Sequence, residues 1–546
     1  MSTTTHAVEE IAETQALPHG HPPLNVVYEW LTTCDHKKIG LMYIGYALIF
    51  LLVAGVEAML MRIQLAIPNN HFVSPQVFNQ LFTMHGTTMV FFVGMPILFG
   101  FGNYLVPLMI GARDLAFPRI NLMSWYLFMA GGIIALVGLF AGGVDTGWTF
   151  YTPLSTQYAK GYVTLVCCGI ILSGYSSIAT GLNFIVTIHK LRAPGMTWYR
   201  LPLFLWSLYA TSVIYVLATP VLAMAMVLIL FERIFRVGVF DPALGGDPLL
   251  FQHLFWFYSH PAVYIMILPG FGVVSEVITA FSRKSIFGYR FIAWSSVSIA
   301  VISFFVWGHH MFVAGTSLYS SVVFSLLSFI VAVPSAIKVF NWLGTLHKGF
   351  IHFNAPMLYA LGFIGLFTMG GLTGLFVASL GADVHLHDTY FVVAHFHYIM
   401  VGAMVSAFFA GLHYWWPKIT GRMYPEVWGQ IAAVMIFFGF NLTFFPQFIL
   451  GYEGMPRRYG SYAPEYQVLN VLSSCGSTIL AVAYLLPLTY LTWSLFRGAS
   501  APANPWAATG LEWQTQSPPR TENFSSTPVV TDPPYYYPRP EERQHV

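Results

Sequence analysis

Six histidines lie inside long apolar stretches of this chain: His85, His260, the adjacent His309 and His310, and His395 with His397. An imidazole within a lipid-spanning segment is costly unless it is paired or ligated, so several together point to bound metal or to a polar pathway. His395 and His397, in AHFHY, are two residues apart and on an α-helix point about 200° apart, so they face two separate centres. His85, in TMHGTTM, offers an opposite axial ligand for one of them, which would make a bis-histidine heme suited to electron transfer; the second heme would keep an open face. His260, in YSHPAVY, lies one helical turn before Tyr264, so the two rings share a face, and His309 and His310, in WGHHM, fall on the next helix. Three imidazoles without a thiolate or carboxylate suit copper or zinc; zinc hydrolysis would lack a base here, which favours copper. Spacing alone leaves two alternatives, a metal site and histidines lining a transport pathway.

The elements that must position these residues are membrane helices. Of 546 residues only 8% are charged and 56% are hydrophobic, against about 25% charged in a soluble globule. A net charge of +2, spread over loops and tails, gives no nucleic-acid-binding face. Apolar runs near the ~20 residues needed to span hydrocarbon predict about twelve transmembrane helices, an all-α integral membrane bundle. Their approximate limits are 39–62, 81–110, 121–142, 162–189, 203–232, 250–281, 289–314, 318–344, 354–379, 389–416, 427–450 and 467–496. Lys37, Lys38, Arg113, Arg119, Lys190, Arg192, Arg200, Arg283, Lys284, Arg290, Lys348, Lys418 and Arg422 all fall on one side. The other side has only Lys160, Arg233, Arg236, Arg457 and Arg458, so both termini are expected in the cytoplasm. Residues 1–35 read as a polar tail without a signal peptide, with His6, His19 and His21 solvated; 36–497 form the helical domain; 498–546 are a Pro-rich extended tail lying on the protein or a partner. Cys34, Cys167, Cys168 and Cys475 show no metal-binding spacing and read as packing residues.

The motifs QHLFWFYSHPAVYIMILPGFG, WGHHMF, PSAIKVFNW, HDTYFVVAHFHY and GMPRRY resemble those of the catalytic subunit of heme-copper terminal oxidases of the cytochrome c oxidase type, from about residue 30 to 500. The resemblance implies a low-spin heme on His85 and His397, a high-spin heme on His395 (hemes a and a3), and copper B on His260, His309 and His310. It also implies a covalent link from His260 to Tyr264 and makes Tyr264, His260 and Trp256 the catalytic residues, Trp256 being more than aromatic packing. Four-electron reduction of oxygen then needs iron, copper and a tyrosine together. By position Lys338 becomes the mid-membrane lysine of a K proton pathway, with Ser335 and Ser328 as hydroxyl relays. Asp114, Asn103 and Asn121 match the mouth of a D pathway that Ser176, Ser177 and Asn183 continue. Arg457 and Arg458 resemble the pair that holds heme propionates, His387 and Asp388 a magnesium site, and Arg62 the partner of a heme formyl group.

Where most of the family carries a glutamate two residues after the first copper ligand, this chain has Ala262. Tyr258 lies one turn earlier on the same face, with Ser259 beside it, as in the subgroup that reads YSHPAVY; tyrosine, serine and water are expected to relay protons instead. Leu122 stands where another asparagine is common. The positions matching a quinol site are Val53, Glu57, Val77 and Gln80, which lack two of the expected partners, so cytochrome c is the expected donor. It could be a separate or a tethered cytochrome domain. Electrons would enter through copper A on a subunit II, since this chain has no cysteine pair for it, and a subunit III is a further expected partner. Tyr264 and Lys338 argue against a nitric oxide reductase, and the recurrence of whole motifs argues against a cofactor-free transporter. Coupled proton translocation in a bacterial cytoplasmic membrane is the expected role.

Overall fold

The computed structural model describes residues 23–159 and 161–537; the tail histidines His6, His19 and His21, Lys160 and the last nine positions lie outside it. Among the described residues, twelve helices are long and apolar enough to cross a membrane. They are α1 (His36–Gln64), α2 (Pro75–Ile110), α3 (Pro118–Phe140), α4 (Val163–Lys190), α5 (Leu203–Phe235), α6 (Pro248–Ser282), α7 (Tyr289–Met311), α8 (Leu318–Leu346), α9 (Ala355–Ala378), α10 (Tyr390–Thr420), α11 (Glu426–Tyr452) and α12 (Pro464–Arg497). The expected count holds, and the limits move by only a few residues. A short helix, Pro23–Thr32, precedes α1 within the segment read as tail.

α2 and α6 are the most enclosed, with 94% and 89% of an 18-residue apolar stretch buried; α8, more apolar at a mean hydropathy of 2.2 but only 22% buried, lies on the rim, where lipid accepts an apolar face. Both interior helices carry histidines. Consecutive helices pack as antiparallel pairs, and two crossings depend on missing side chains. A Cβ on Gly131 would meet Gly169 O at 2.6 Å and one on Gly169 would meet Gly131 O at 2.7 Å, so α3 and α4 touch backbone to backbone. Gly40 of α1 and Gly100 of α2 repeat the device, at 2.7 and 3.0 Å.

Three helices depart from regular α geometry next to the histidines. In α2 a π segment, Met89–Gly94, precedes Pro96, which has no amide hydrogen to give and whose ring crowds the turn before it. In α10 the segment Tyr398–Val405 is π-helical directly after His397. The α-helical part of α7 stops at Ile302, and His309 and His310 lie in a 3-10 segment, Trp307–Met311.

Residues 498–537 lie on the protein itself. Trp506 Nε1 donates to Tyr414 O (2.8 Å), Trp513 Nε1 to the Tyr414 hydroxyl (2.9 Å), and the buried Lys418 ammonium to Thr515 O (2.6 Å) and Ala503 O (3.0 Å). Tyr535 donates to Glu276 Oε1 (2.5 Å), and Asn523 takes a bond from Lys37 Nζ (3.0 Å) and gives one to Ala112 O (3.0 Å). This strap therefore crosses the start of α1 and the ends of α2, α6 and α10, all on one face. The four cysteines are free; Cys167 is buried as expected of a packing residue, whereas Cys475 is exposed on α12.

Candidate functional site

All six histidines fall in the half of the bundle opposite the strap. His85 is ten residues into α2, His260 twelve into α6, His395 and His397 five and seven into α10, and His309 and His310 end α7. At about 1.5 Å per residue these are depths of less than 20 Å from that face.

His85 and His397 face each other. Their ring centroids are 6.5 Å apart with 19° between the planes. Two metal–nitrogen bonds of about 2 Å each plus the two ring radii come to about 6 Å, so the gap fits one six-coordinate ion. Both Nδ1 atoms are already engaged, His85 with Ala54 O (2.9 Å) and His397 with Val393 O (2.8 Å), which leaves the Nε2 atoms as ligands. Phe444 stacks on His397 at 4.3 Å and fixes its plane. His395 is oriented independently, through Nδ1 to Gly370 O (3.0 Å), beside the Thr373 hydroxyl. Gly374 makes room for this ring: a Cβ there would lie 3.1 Å from His395 Cε1.

His260, His309 and His310 form a second cluster, with one ligand atom from each lying within 4.8 Å of the others. His260 Nδ1 and His310 Nε2 are 3.2 Å apart, the spacing of two nitrogens each about 2 Å from one ion at a near-tetrahedral angle. His309 Nδ1 contacts Ser328 Oγ at 2.8 Å, leaving its Nε2 free. His260 Nε2 is buried with no hydrogen-bond partner among the described residues, and the Tyr264 ring lies 4.9 Å away, centroid to centroid. That orphaned nitrogen fits the linkage position implied for His260. Trp256 stacks on His310 (3.8 Å, 14°) and donates to the Tyr151 hydroxyl (2.5 Å). Tyr151, Thr373 and Phe444 were not found from sequence; each is an ordinary polar or aromatic residue whose contact is long-range.

At the adjacent face Arg457 is committed to Asp388, Nε to Oδ1 at 2.7 Å. Burial raises the Asp388 carboxyl, but Arg457, with His387 and Arg458, outweighs it and holds the group below its ordinary range. Arg458 lies over the Phe82 ring at 5.8 Å, and burial beside Arg457 brings it down to about 10. The two arginines thus make different contacts within the protein. They line, with Pro75, Asn79, Asp388 and Gly460, a cavity of about 580 Å³ suited to anionic groups. Asp388 Oδ2 lies 3.7 Å from His387 Nε2, while His387 Nδ1 is 3.3 Å from Asp383, a further carboxylate that sequence reading did not include. Arg62, near the end of α1, donates to Asn470 O (2.8 Å) and Ser474 Oγ (2.9 Å), and its buried Nε has no partner among the described residues, which leaves that donor for a heme substituent.

The proposed proton residues fall into two groups. Lys338 is fully buried and donates to Ser296 Oγ (2.7 Å) and Ile292 O (3.1 Å) on α7. The helix-eight hydroxyls expected beside it go elsewhere: Ser335 to Val331 O, and Ser328 to Phe324 O and His309. In the second group Asp114 sits in the loop after α2, where burial lifts its carboxyl to about 6 against the opposing Leu115 amide. Asn183 holds the loop through both Phe117 backbone groups (3.0 Å each). Both side-chain polar atoms of Asn121, and Asn103 Oδ1, are buried without partners among the described residues, as expected where water completes the bonding. Deeper in, Ser176 donates to Ser124 O (2.6 Å) and meets the Tyr43 hydroxyl (2.8 Å), which also reaches Ser124 Oγ (3.0 Å); Ser177 donates to Ser173 O (3.0 Å). Tyr43 and Ser124 join this chain from helices that spacing did not connect to it. Tyr258 is buried, donating to Met95 Sδ (3.1 Å), and Ser259 and Ala262 are buried with it.

Twelve membrane-spanning helices around an opposed histidine pair and a three-histidine cluster define a heme-copper type of oxidoreductase. The profile described as cytochrome C and quinol oxidase polypeptide I matches residues 38–479, and the chain belongs to that family. It is 47% identical over 508 residues to cytochrome c oxidase subunit 1 of Synechocystis sp., covering 93% of this chain and 92% of the relative. Subunit 1 of the Thermostichus vulcanus oxidase is 45% identical (95% and 94% covered), and that of Bacillus subtilis 43% (93% and 82%). A heme-copper terminal oxidase dimer solved by cryo-electron microscopy shares the fold, with a TM-score of 0.71 at 19% identity over 85% of this chain and 84% of that one. The chain is thus the catalytic subunit of a respiratory terminal oxidase, an oxidoreductase acting on O2 that carries hemes and copper.

Proposed function

We propose that this subunit reduces O2 to water with electrons from cytochrome c, delivered through a copper A centre on a partner subunit, and couples the reaction to proton translocation across a bacterial cytoplasmic membrane. The observation that carries this reading is the convergence of His260, His309 and His310 on one point, with His395 and the His85–His397 pair in the same half of the bundle. His85 and His397 would hold heme a, His395 heme a3, and His260, His309 and His310 copper B; these groups supply the electron transfer and oxygen reduction. The chain's own residues orient the ligands, keep bulk water out and move protons.

Tyr264 would supply a hydrogen atom next to the oxygen site, at the unpaired edge of His260. Lys338, with Ser296, would bring protons to the site by one route, and Asp114, through the hydrated asparagines and the hydroxyls of Ser176, Ser177 and Tyr258, by another. Ser259 lies alongside as a second hydroxyl, and Asn183 holds the entrance loop. Arg62 would meet the low-spin heme's formyl group, Arg458 a propionate, and His387 with Asp388 a magnesium ion. The Lys- and Arg-rich loops would place the strap and both ends of the helical domain in the cytoplasm.

The test uses the purified complex. Reduced cytochrome c should support oxygen uptake, the reduced spectrum should show one carbon monoxide-binding and one unreactive heme, and oxygen pulses to proteoliposomes should acidify the outer side. Quinol oxidation without any response to cytochrome c would refute the donor, and alkalinisation alone would refute pumping.

A further inference from the structure

Ala262 offers no side chain that can carry a proton, and the hydroxyls of Ser176 and Ser177 belong to α4 whereas Tyr258 belongs to α6. Something must connect the two helices. Between them in sequence stands α5, and its Tyr215 is almost fully buried at 1% exposure.

Two contacts define its position. Tyr215 donates its hydroxyl to Met95 O at 3.2 Å, and Tyr258 donates to the sulfur of the same methionine at 3.1 Å. Both phenols are therefore docked on one residue, and ordered water would be the bridge between them. On its other side Tyr215 lines a cavity of about 10 Å³ with Tyr43, Ser173, Ser176, Ser177 and Thr180. A space of that size, with hydroxyls on one side and Phe91, Pro96, Phe99 and Phe128 on the other, holds about one water. The Met95 carbonyl needs no tyrosine to satisfy it, since a packed aliphatic residue at position 215 would leave it to the helix. A phenol adds an oxygen with a free lone pair between the serines and Tyr258.

We propose that Tyr215 is the hydroxyl that hands protons from the serine cluster to Tyr258. The inference rests on the reading of Tyr258 as a relay. Its oxygen accepts a proton from the water in the serine-lined cavity while its own hydrogen turns from Met95 O toward Tyr258. One proton enters, one leaves, and no electron moves. Tyr215 is a positioning and relay residue and touches neither metal nor oxygen.

The experiment compares Tyr215→Phe, Tyr258→Phe and the double variant in the purified complex. Proton uptake is followed with a pH dye after photolysis of the reduced, carbon monoxide-bound enzyme in the presence of oxygen, in H2O and in D2O. Each single variant should slow uptake about tenfold or more and enlarge the solvent isotope effect. The heme and carbon monoxide spectra should not change, and the double variant should be no slower than the slower single one, since the two act in series. Wild-type uptake in Tyr215→Phe with slow uptake in Tyr258→Phe would overturn the role of Tyr215 alone; wild-type uptake in both would overturn both readings. Slowing with altered heme spectra and an unchanged isotope effect would mark a purely structural role and also overturn it. If Tyr215→Phe does not assemble, Ser177→Ala breaks the same link at its near end and is judged on the same readouts.

Discussion

Ser328 offers a sharp test, because its hydroxyl touches His309, one of the three clustered histidines, as well as sharing α8 with Lys338. Its hydroxyl hydrogen is given to Phe324 O at 2.6 Å, so toward His309 Nδ1, 2.8 Å away, the oxygen can only accept. That places the His309 hydrogen on Nδ1 and the lone pair on Nε2, the tautomer a metal ligand needs. Ser328→Ala removes the acceptor. A neutral hydrogen bond is worth about 1 kcal/mol net, and partners of metal-binding histidines typically change affinity 10- to 100-fold. Val306 O also lies within reach of the His309 ring, which puts the effect at the lower end, about tenfold weaker copper binding. The assay is copper per heme by elemental analysis after timed exposure to a chelator, with turnover measured alongside. Ser328→Thr keeps the oxygen and should keep the copper. If Ser328→Ala retained copper like the wild type and slowed only the reduction of the oxygen site, the hydroxyl would be a proton relay and this reasoning would be refuted.

Ser296→Ala should slow reduction of the oxygen site nearly as much as Lys338→Met, because Ser296 is the side chain that Lys338 meets; stopped-flow reduction without oxygen measures this. Asp114 carries a carboxyl raised to about 6, so in the folded chain it is ionised above that pH and takes up a proton below it. Between its ordinary value and 6 the folded state binds more protons, and stability gains from this group as pH falls through that window. Asp114→Asn should therefore lose an activity titration near pH 6 and unfold later relative to wild type at pH 8 than at pH 5; an unchanged pH profile would exclude the assignment. Arg62→Met should shift the low-spin heme band to the blue and leave the carbon monoxide spectrum alone, whereas no band shift would show that the free Nε does not meet that heme.

The twelve spans were legible because hydrophobic length is a direct physical requirement of the bilayer, and the separation of His395 from His397 onto two centres follows from helical pitch. The convergence of His309 and His310 was less so. Their rings lie 4.2 Å apart because α7 tightens to a 3-10 turn there, a change that no Pro or charge announces. Ser328 and Lys338 share α8, yet the bond between Ser328 and His309 crosses to α7, which no spacing within one helix reveals. The hydroxyl chain through Tyr43 and Tyr215 was invisible because its members come from separate helices with ordinary membrane-helix sequences. Pro-rich composition pointed to an extended C-terminal segment lying on the protein or a partner, while the residues that hold it, Lys418 and Tyr414, sit about a hundred positions earlier in an apolar helix.

The strap has a consequence for biogenesis. Asn523 bonds Lys37, and it also bonds His36, 487 residues before it, at the first turn of the first membrane helix. The ribosome must synthesise nearly the whole chain before this lock can close. Insertion of the helices is therefore followed by a separate closing event on the same face, and shortening the chain before residue 523 should yield inserted helices that remain open to proteases at that face.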